Sequence, residues 1–148
     1  LFECAKTDRA VTLIADGGVR NSGDIVKALA AGADAIMCGS LFSGTDEAPG
    51  KVIEENDGTR WKVYRGMASK EAQMGWRGKY SSDEGVSARV PYRGTVKNIF
   101  DDLQNGIKSG LSYSGARTIS ELSAHAEFIR QTNSGLSESG THIRSRAW

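Results

Sequence analysis

Two short glycine turns, each closing an apolar run, are the residues with the clearest capacity for chemistry. Ile14-Ala15 lead into Asp16-Gly17-Gly18, and residues 33–38 lead into Gly39-Ser40. Glycine leaves a peptide N–H open to close approach by an anion because no Cβ shields it. A helix N-terminus adds partial positive charge, and a serine hydroxyl donates one further hydrogen bond. That donor set suits a phosphate. Asp16, a carboxylate just ahead of the glycines, is suited to accept two hydrogen bonds from a ribose diol. Taken singly, each motif fits an ordinary turn equally well, so the anion reading rests on finding both in matched positions.

The elements around the turns supply that match. Residues 1–8 read as the end of a helix, and residues 11–15 as a buried strand that stops at the glycines. Asn21-Ser22-Gly23-Asp24 offers an N-cap and an acidic first turn. It is followed by Ile25, Val26, Ala28 and Leu29 on one helical face, with a stop at Gly32. Residues 33–38 form a second strand. Strand, helix and strand within about 30 residues make a βαβ unit, which forces the strands parallel and sends both glycine turns to one side. The arrangement is similar to the phosphate site that (β/α)8 barrels build after their seventh and eighth strands.

Beyond Gly44 the pattern changes. Residues 51–56 and 59–64 flank Asp57-Gly58, which reads as a two-residue hairpin turn. Residues 65–93 are rich in glycine, serine and charge with little periodicity, the signature of a functional flap or of disorder. Residues 51–93 are therefore expected to form an inserted hairpin and flap. Val96, Ile99, Phe100, Leu103 and Ile107 fall at helical spacing. Thr118 with Glu121 makes a capping box for a last helix that turns Ile119, Leu122 and Ile129 inward. Residues 131–148 are expected to be a polar tail.

Composition narrows the class. The 148 residues, 39% hydrophobic, suit one domain with a real core. Nineteen basic residues against eighteen acidic ones, with no long run of either sign, give no electrostatic footprint for nucleic acid. No apolar run approaches the roughly 20 residues of a membrane span. Cys4 and Cys38 form neither a disulfide framework nor a metal knuckle, so a reducing, cytoplasmic setting is expected. Both read as packing residues, and His125 and His142 as helix-surface and tail residues. The chain opens on Leu1 inside a helical pattern, which reads as a piece of a longer protein.

The words around the turns carry a family resemblance. They are Ile14-Ala15-Asp16-Gly17-Gly18-Val19-Arg20 and the stretch from Ser22-Gly23-Asp24 to Gly32-Ala33-Asp34. Next come Met37, Gly39-Ser40, Gly44-Thr45-Asp46-Glu47-Ala48-Pro49-Gly50, Tyr64-Arg65-Gly66-Met67, Glu84-Gly85, Val90-Pro91-Tyr92 and Gly94. Ser109-Gly110, Tyr113 and Gly115-Ala116 follow in order. Over nearly its whole length the chain resembles the IMP dehydrogenase/GMP reductase family. The resemblance implies an α/β fold, the C-terminal portion of a (β/α)8 TIM barrel: strands seven and eight with flanking helices and an inserted flap. It implies a purine nucleoside monophosphate whose 5′-phosphate meets Gly17, Gly18, Gly39, Ser40 and the Tyr64 hydroxyl, with Asp16 on the ribose. Gly66, Met67 and Ala68 would lie along the purine, and Glu84 would meet the base or take part in the chemistry.

Members of the family either oxidise IMP to XMP with NAD or reduce and deaminate GMP to IMP with NADPH. Both reactions run through a covalent thioimidate on a cysteine, which the resemblance places ahead of Leu1. In the dehydrogenases the flap is long and carries an Arg-Tyr pair, to which Lys79-Tyr80 is the nearest match here. A lysine base would need a pKa well below its usual value of about 10.4. A short flap ending in Ser82-Asp83-Glu84-Gly85 favours the reductase with NADPH. The alternatives are the dehydrogenase with NAD and a noncatalytic, truncated nucleotide-binding remnant. Residues 45–50 and the tail Glu138-Ser139-Gly140-Thr141-His142 are the dehydrogenase-like features, the tail implying carbonyl ligands for K+ from Glu138, Ser139 and Gly140. The resemblance further implies a homo-oligomer, a tetramer.

Overall fold

The computed structural model describes residues 11–66, 69–79 and 87–140. The expected helix over residues 1–8 with Cys4, and Met67, Ala68, Tyr80, Glu84 and His142, lie outside them.

Strand β1 (Ile14–Asp16) pairs in parallel with β2 (Ala35–Met37), with Ile14 opposite Ala35 and Asp16 opposite Met37. The strands are shorter than the apolar runs. Asp34 closes the ladder below them: its carboxylate accepts from the Leu13 N–H at 2.7 Å, and its own N–H donates to the Leu13 carbonyl at 2.8 Å. Helix α1 (Ser22–Ala30) makes the crossover. Its N-cap is Asn21, whose side-chain oxygen accepts from the Asp24 N–H at 3.0 Å. Its C-terminus is a Schellman turn on Gly32 (φ 91°), with the Gly32 N–H donating to the Leu29 carbonyl and the Ala33 N–H to the Ala28 carbonyl.

After β2 a one-turn 3-10 helix (Ser40–Phe42) leads through residues 44–50 into an antiparallel sheet: β3 (Val52–Glu54), β4 (Arg60–Arg65) and β5 (Ser87–Pro91). The hairpin expected at Asp57-Gly58 forms, but its loop is three residues long. Glu55 and Thr59 still pair, the Gly58 N–H donates back to the Glu55 carbonyl, and Gly58 takes φ 82°, a turn that finishes in a left-handed glycine. Residues 65–93 are more regular than their composition suggested. Helix α2 (Lys70–Arg77), capped by Ser69 and stopped by Gly78 (φ 67°), and β5 both lie within them.

Helix α3 (Val96–Tyr113) starts at the Thr95 cap and ends on Gly115 (φ 67°), and α4 (Ile119–His125) starts at Thr118, whose hydroxyl accepts from the Glu121 N–H. The expected box is skewed by one residue, because the Glu121 carboxylate reaches the Arg117 N–H at 2.7 Å. The tail contains a further short helix, α5 (Asn133–Glu138). The core forms where α1 meets α3, α4 and the 3-10 turn: Val19, Ile25, Leu29, Ala30, Leu41 and Leu122 are buried, and Ile99, Leu103 and Ile107 pack against them. Of the three residues expected to face inward from the last helix, only Leu122 is buried. Ile119 is about half exposed, and Ile129, beyond the helix end, is 91% exposed. Among the described residues no helix is long and apolar enough to cross a membrane.

Candidate functional site

Because Asp16 and Met37 are the last paired residues of two parallel strands, the Asp16-Gly17-Gly18 turn and the Cys38-Gly39-Ser40 turn leave the sheet at the same end. Gly17 and Gly18 are consecutive left-handed residues, at φ 90° and 74°, and a Cβ built on either would meet nothing within 4 Å. Backbone torsion, and not lack of room, demands glycine here, and the space before the two peptides is open. Val19 is buried immediately behind them. Asp16 is exposed, and with Gly17, Gly18, Asp24 and Lys27 it borders a depression of about 610 Å³. Asp24 belongs to the helix itself. Its carboxylate accepts from the Arg20 N–H and pairs with Lys27 at 2.9 Å, and the Lys27 hydrogen bond is the main cause that holds its pKa below the usual aspartate range.

Gly39 has an ordinary right-handed backbone (φ −101°, ψ −72°), so the left-handed argument does not apply to it. A Cβ there would stand 3.6 Å from the hydroxyl oxygen of Tyr64. The structure thus brings Tyr64 of β4 to the Gly39 turn across 25 residues of chain. Ser40 is exposed at the start of the 3-10 turn, where its carbonyl accepts from the Ser43 N–H at 3.2 Å and hydroxyl at 2.6 Å. Leu41, buried, anchors that turn to the core. Gly39 and Tyr64 border a cleft of about 740 Å³ that also takes in Phe42, Val63 and Trp76. The two glycine turns therefore share one end of the sheet but open onto separate depressions. Cys38 sits half-buried behind Gly39, and burial pushes its thiol pKa up, which suits packing and not a nucleophile.

Other expected residues lie apart. Gly66 follows β4 directly, and its carbonyl accepts from the Ser69 N–H at 2.8 Å. Lys79 is exposed just past the end of α2 and borders neither depression. Glu138 ends α5, followed by Ser139 and Gly140; the Ser139 and Gly140 N–H groups donate to the Gly135 and Ser137 carbonyls, and the Ser139 hydroxyl to the Leu136 carbonyl. Three consecutive carbonyls, at 138–140, cannot alone surround a hard cation that prefers six or more oxygens. Among the described residues no cluster of His, Cys, Asp or Glu could hold a metal ion.

Sequence reading passed over the residues that tie the segment after the Gly39-Ser40 turn to the antiparallel sheet and to α3. Lys62, only 3% exposed, donates from Nζ to the carbonyls of Thr45 (2.6 Å) and Ala48 (2.6 Å), with Asp46 at 3.4 Å. The Tyr92 hydroxyl donates to Asp46 at 2.7 Å, which is the first cause of its raised pKa, and the Arg60 guanidinium lies 4.4 Å from the Tyr92 ring centroid. Glu47 accepts from the Val96 N–H at 2.8 Å and the Thr95 hydroxyl at 3.0 Å, at the start of α3. The one signal available was strand alternation, which places Lys62 and Tyr64 on one face of β4.

An α/β chain with two strand-end glycine turns on one side, closed by a tyrosine from an appended sheet, is the class of structure these observations define. Residues 1–142 match the family model described as the IMP dehydrogenase / GMP reductase domain, and the chain belongs to that family. It is 47% identical over 156 aligned positions to an inosine-5'-monophosphate dehydrogenase of Nitrosopumilus maritimus, covering 96% of this chain and 33% of that protein. To the enzyme of the same name from Thermoplasma acidophilum it is 48% identical over 147 positions, covering 95% and 30%. The crystal structure of the GMP reductase variant C318A from Trypanosoma brucei, in complex with guanosine 5'-monophosphate, superposes with a TM-score of 0.82 at 44% identity, over 91% of this chain and 28% of that one. The chain thus spans about a third of the length of the relatives it matches.

Proposed function

We propose that this chain forms the phosphate- and ribose-binding part, strands seven and eight of a (β/α)8 barrel, in a cytoplasmic, tetrameric GMP reductase. In this reading the 5′-phosphate lies across the common end of the two strands, between the two depressions. Gly17 and Gly18 offer donors from one side and Gly39 and Ser40 from the other, Tyr64 adds its hydroxyl and Asp16 holds the ribose. The observation that carries it is the Tyr64 hydroxyl standing at Gly39, at the end of the sheet where both turns emerge. A superposable reductase bound to guanosine 5'-monophosphate supports the ligand class. Gly66, Met67 and Ala68 would run along the purine, with Glu84 acting on the departing ammonia. Were the protein instead a dehydrogenase, Lys79-Tyr80 would stand where that class has its water-activating Arg-Tyr pair.

The short stretch of sequence between Met67 and Glu84 favours the reductase over the dehydrogenase. The names of the sequence relatives favour oxidation of IMP to XMP, which stays as the second reading. A nicotinamide dinucleotide, NADPH or in the second reading NAD, would supply hydride exchange. The cleft bordered by Phe42, Tyr64 and Trp76 has the aromatic lining for a planar ring, while no G-x-G-x-x-G fingerprint occurs in the sequence to cradle a dinucleotide's phosphates. A K+ site at Glu138, Ser139 and Gly140 would need most of its oxygens from elsewhere, such as a neighbouring subunit.

Two measurements test these proposals. Full-length protein given GMP with NADPH, or IMP with NAD, should consume NADPH in the first mixture; NADH production in the second reverses the assignment. Tyr64→Phe and Ser40→Ala should each raise KM for the nucleotide roughly tenfold or more, since each removes a charge-assisted hydrogen bond worth about 1.5–3 kcal/mol. Unchanged KM in both variants would refute the phosphate site.

A further inference from the structure

A buried ammonium whose hydrogen bonds, among the described residues, all go to backbone carbonyls, with Glu47 the carboxylate that feels its charge, calls for a reason. Lysine is seldom buried, and the cost of removing its charge from water must be met by hydrogen bonds or a counter-ion. Lys62 is 3% exposed and spends its donors on backbone carbonyls of a single loop, those of Thr45, Ala48 and Asp46. That loop is the direct continuation of the Gly39-Ser40 turn, through a 3-10 turn fixed by buried Leu41 and by Ser43. Gly44 at the joint (φ 83°) runs so close to β5 that a Cβ there would lie 2.3 Å from the Pro91 carbonyl oxygen, so the segment has little freedom to shift.

Two residues along β4 from Lys62, on the same strand face, stands Tyr64, whose hydroxyl reaches Gly39. The strand thus meets the segment 39–48 at two places, through the ammonium's hydrogen bonds at one end and through a phenol that stands against Gly39 at the other.

We infer that Lys62 is a positioning residue for the nucleotide phosphate: by gripping the carbonyls of residues 45–48 it sets the distance at which Tyr64 meets the Gly39-Ser40 turn. The inference rests on the phosphate reading of that turn and assigns no contact between Lys62 and the ligand. Its loss should loosen the tyrosine against the turn, which weakens recognition of the phosphate and leaves recognition of base and ribose intact.

The test compares ligands with and without the phosphate. Dissociation constants of GMP, IMP, guanosine and inosine are measured by calorimetry on full-length wild-type, Lys62→Met, Tyr64→Phe and double-variant protein. Lys62→Met should weaken the two nucleotides by roughly tenfold, the size of one charge-assisted hydrogen bond, and the two nucleosides by less than about twofold. The double variant should be no weaker than Tyr64→Phe alone, because Lys62 acts through that hydroxyl. Equal losses for nucleotides and nucleosides, additive losses in the double variant, or wild-type affinity in Lys62→Met would each overturn the inference. If Tyr64→Phe itself binds nucleotide normally, the phosphate reading fails first; a loss there with none in Lys62→Met sinks the role of Lys62 only. Should Lys62→Met not fold, Lys62→Ala is assayed with and without propylammonium. Recovery of the nucleotide preference with the added cation supports positioning, and its absence, or a failure of that variant to fold, rejects it.

Discussion

Glu47 shows how a single exposed side chain can tie distant segments. It accepts from the Val96 N–H and the Thr95 hydroxyl, so a carboxylate from the loop after the 3-10 turn sits at the start of a helix nearly fifty residues later, where negative charge meets the positive end of the dipole. The Val96 N–H is the first cause that holds its pKa below the usual glutamate range, with the Thr95 hydroxyl adding to it. A carboxyl with a lowered folded pKa adds stability that is complete above its unfolded value, about 4.3, and is lost as pH falls through the folded value. Glu47→Gln should therefore unfold at lower urea concentration than wild type at pH 7, and the gap should close as pH drops below about 4. Paired urea titrations across that window check this, and a gap unchanged by pH would remove the charge from the explanation. None of this was legible in Thr45-Asp46-Glu47, which the sequence offered only as part of a family-like stretch. The turn at Gly17-Gly18 was legible because its meaning is local, fixed by a strand end and a left-handed torsion, which Gly39 does not share. Lys62 was not, because lysine in a strand reads as its wet face, and only the fold reveals three carbonyls waiting for it.

At the scale of elements, α1 and α3 cross closely because α3 presents Gly106 and Gly110 to Ser22 and Val26 of α1. A Cβ on Gly110 would fall 2.5 Å from Val26 Cγ2, and one on Gly106 would fall 2.1 Å from Ser22 Oγ. In an exposed helix, Gly→Ala gains about 1 kcal/mol of propensity. Here the clash should reverse the sign: Gly110→Ala should lower the thermal midpoint, and adding Val26→Ala should recover most of the loss by making room. A higher midpoint in the single variant would show that the helices part without cost. The α1 and α3 periodicities, the Asn21 and Thr118 caps and the hairpin all follow from local chemistry. The elements that sequence reading missed are those whose signal is weak or remote. Helix α2 contains Gly75 and mostly exposed residues, and α5 is built from Asn133, Ser134 and Gly135. Strand β5 ends in Pro91 and exists by pairing with β4, so its partner, and not its own composition, defines it.

At the scale of the molecule, the described residues leave one face of the parallel sheet bare. Parallel sheets are normally covered on both faces and extended at both edges. Among the described residues α1 covers the face that carries Ala15 and Ile36, while Ile14 and Met37 on the other face remain 50% and 51% exposed, and β1 and β2 pair only with each other. Asp16 projects from the same bare face as Ile14, since alternate residues of a strand share a face. In the longer protein proposed above, the barrel's remaining strands would flank this pair and its interior would cover that face, which is how a nucleotide site comes to be enclosed. The 148 residues produced alone should therefore associate as their concentration rises, and the amides of residues 14–16 and 35–37 should exchange with solvent within minutes. In the full-length protein the same amides should be protected at least a thousandfold more, the difference between frayed and core strands. Light scattering and hydrogen exchange measured on both proteins decide the matter: an isolated chain that stays monomeric with those six amides protected would mean that this sheet needs no further strands.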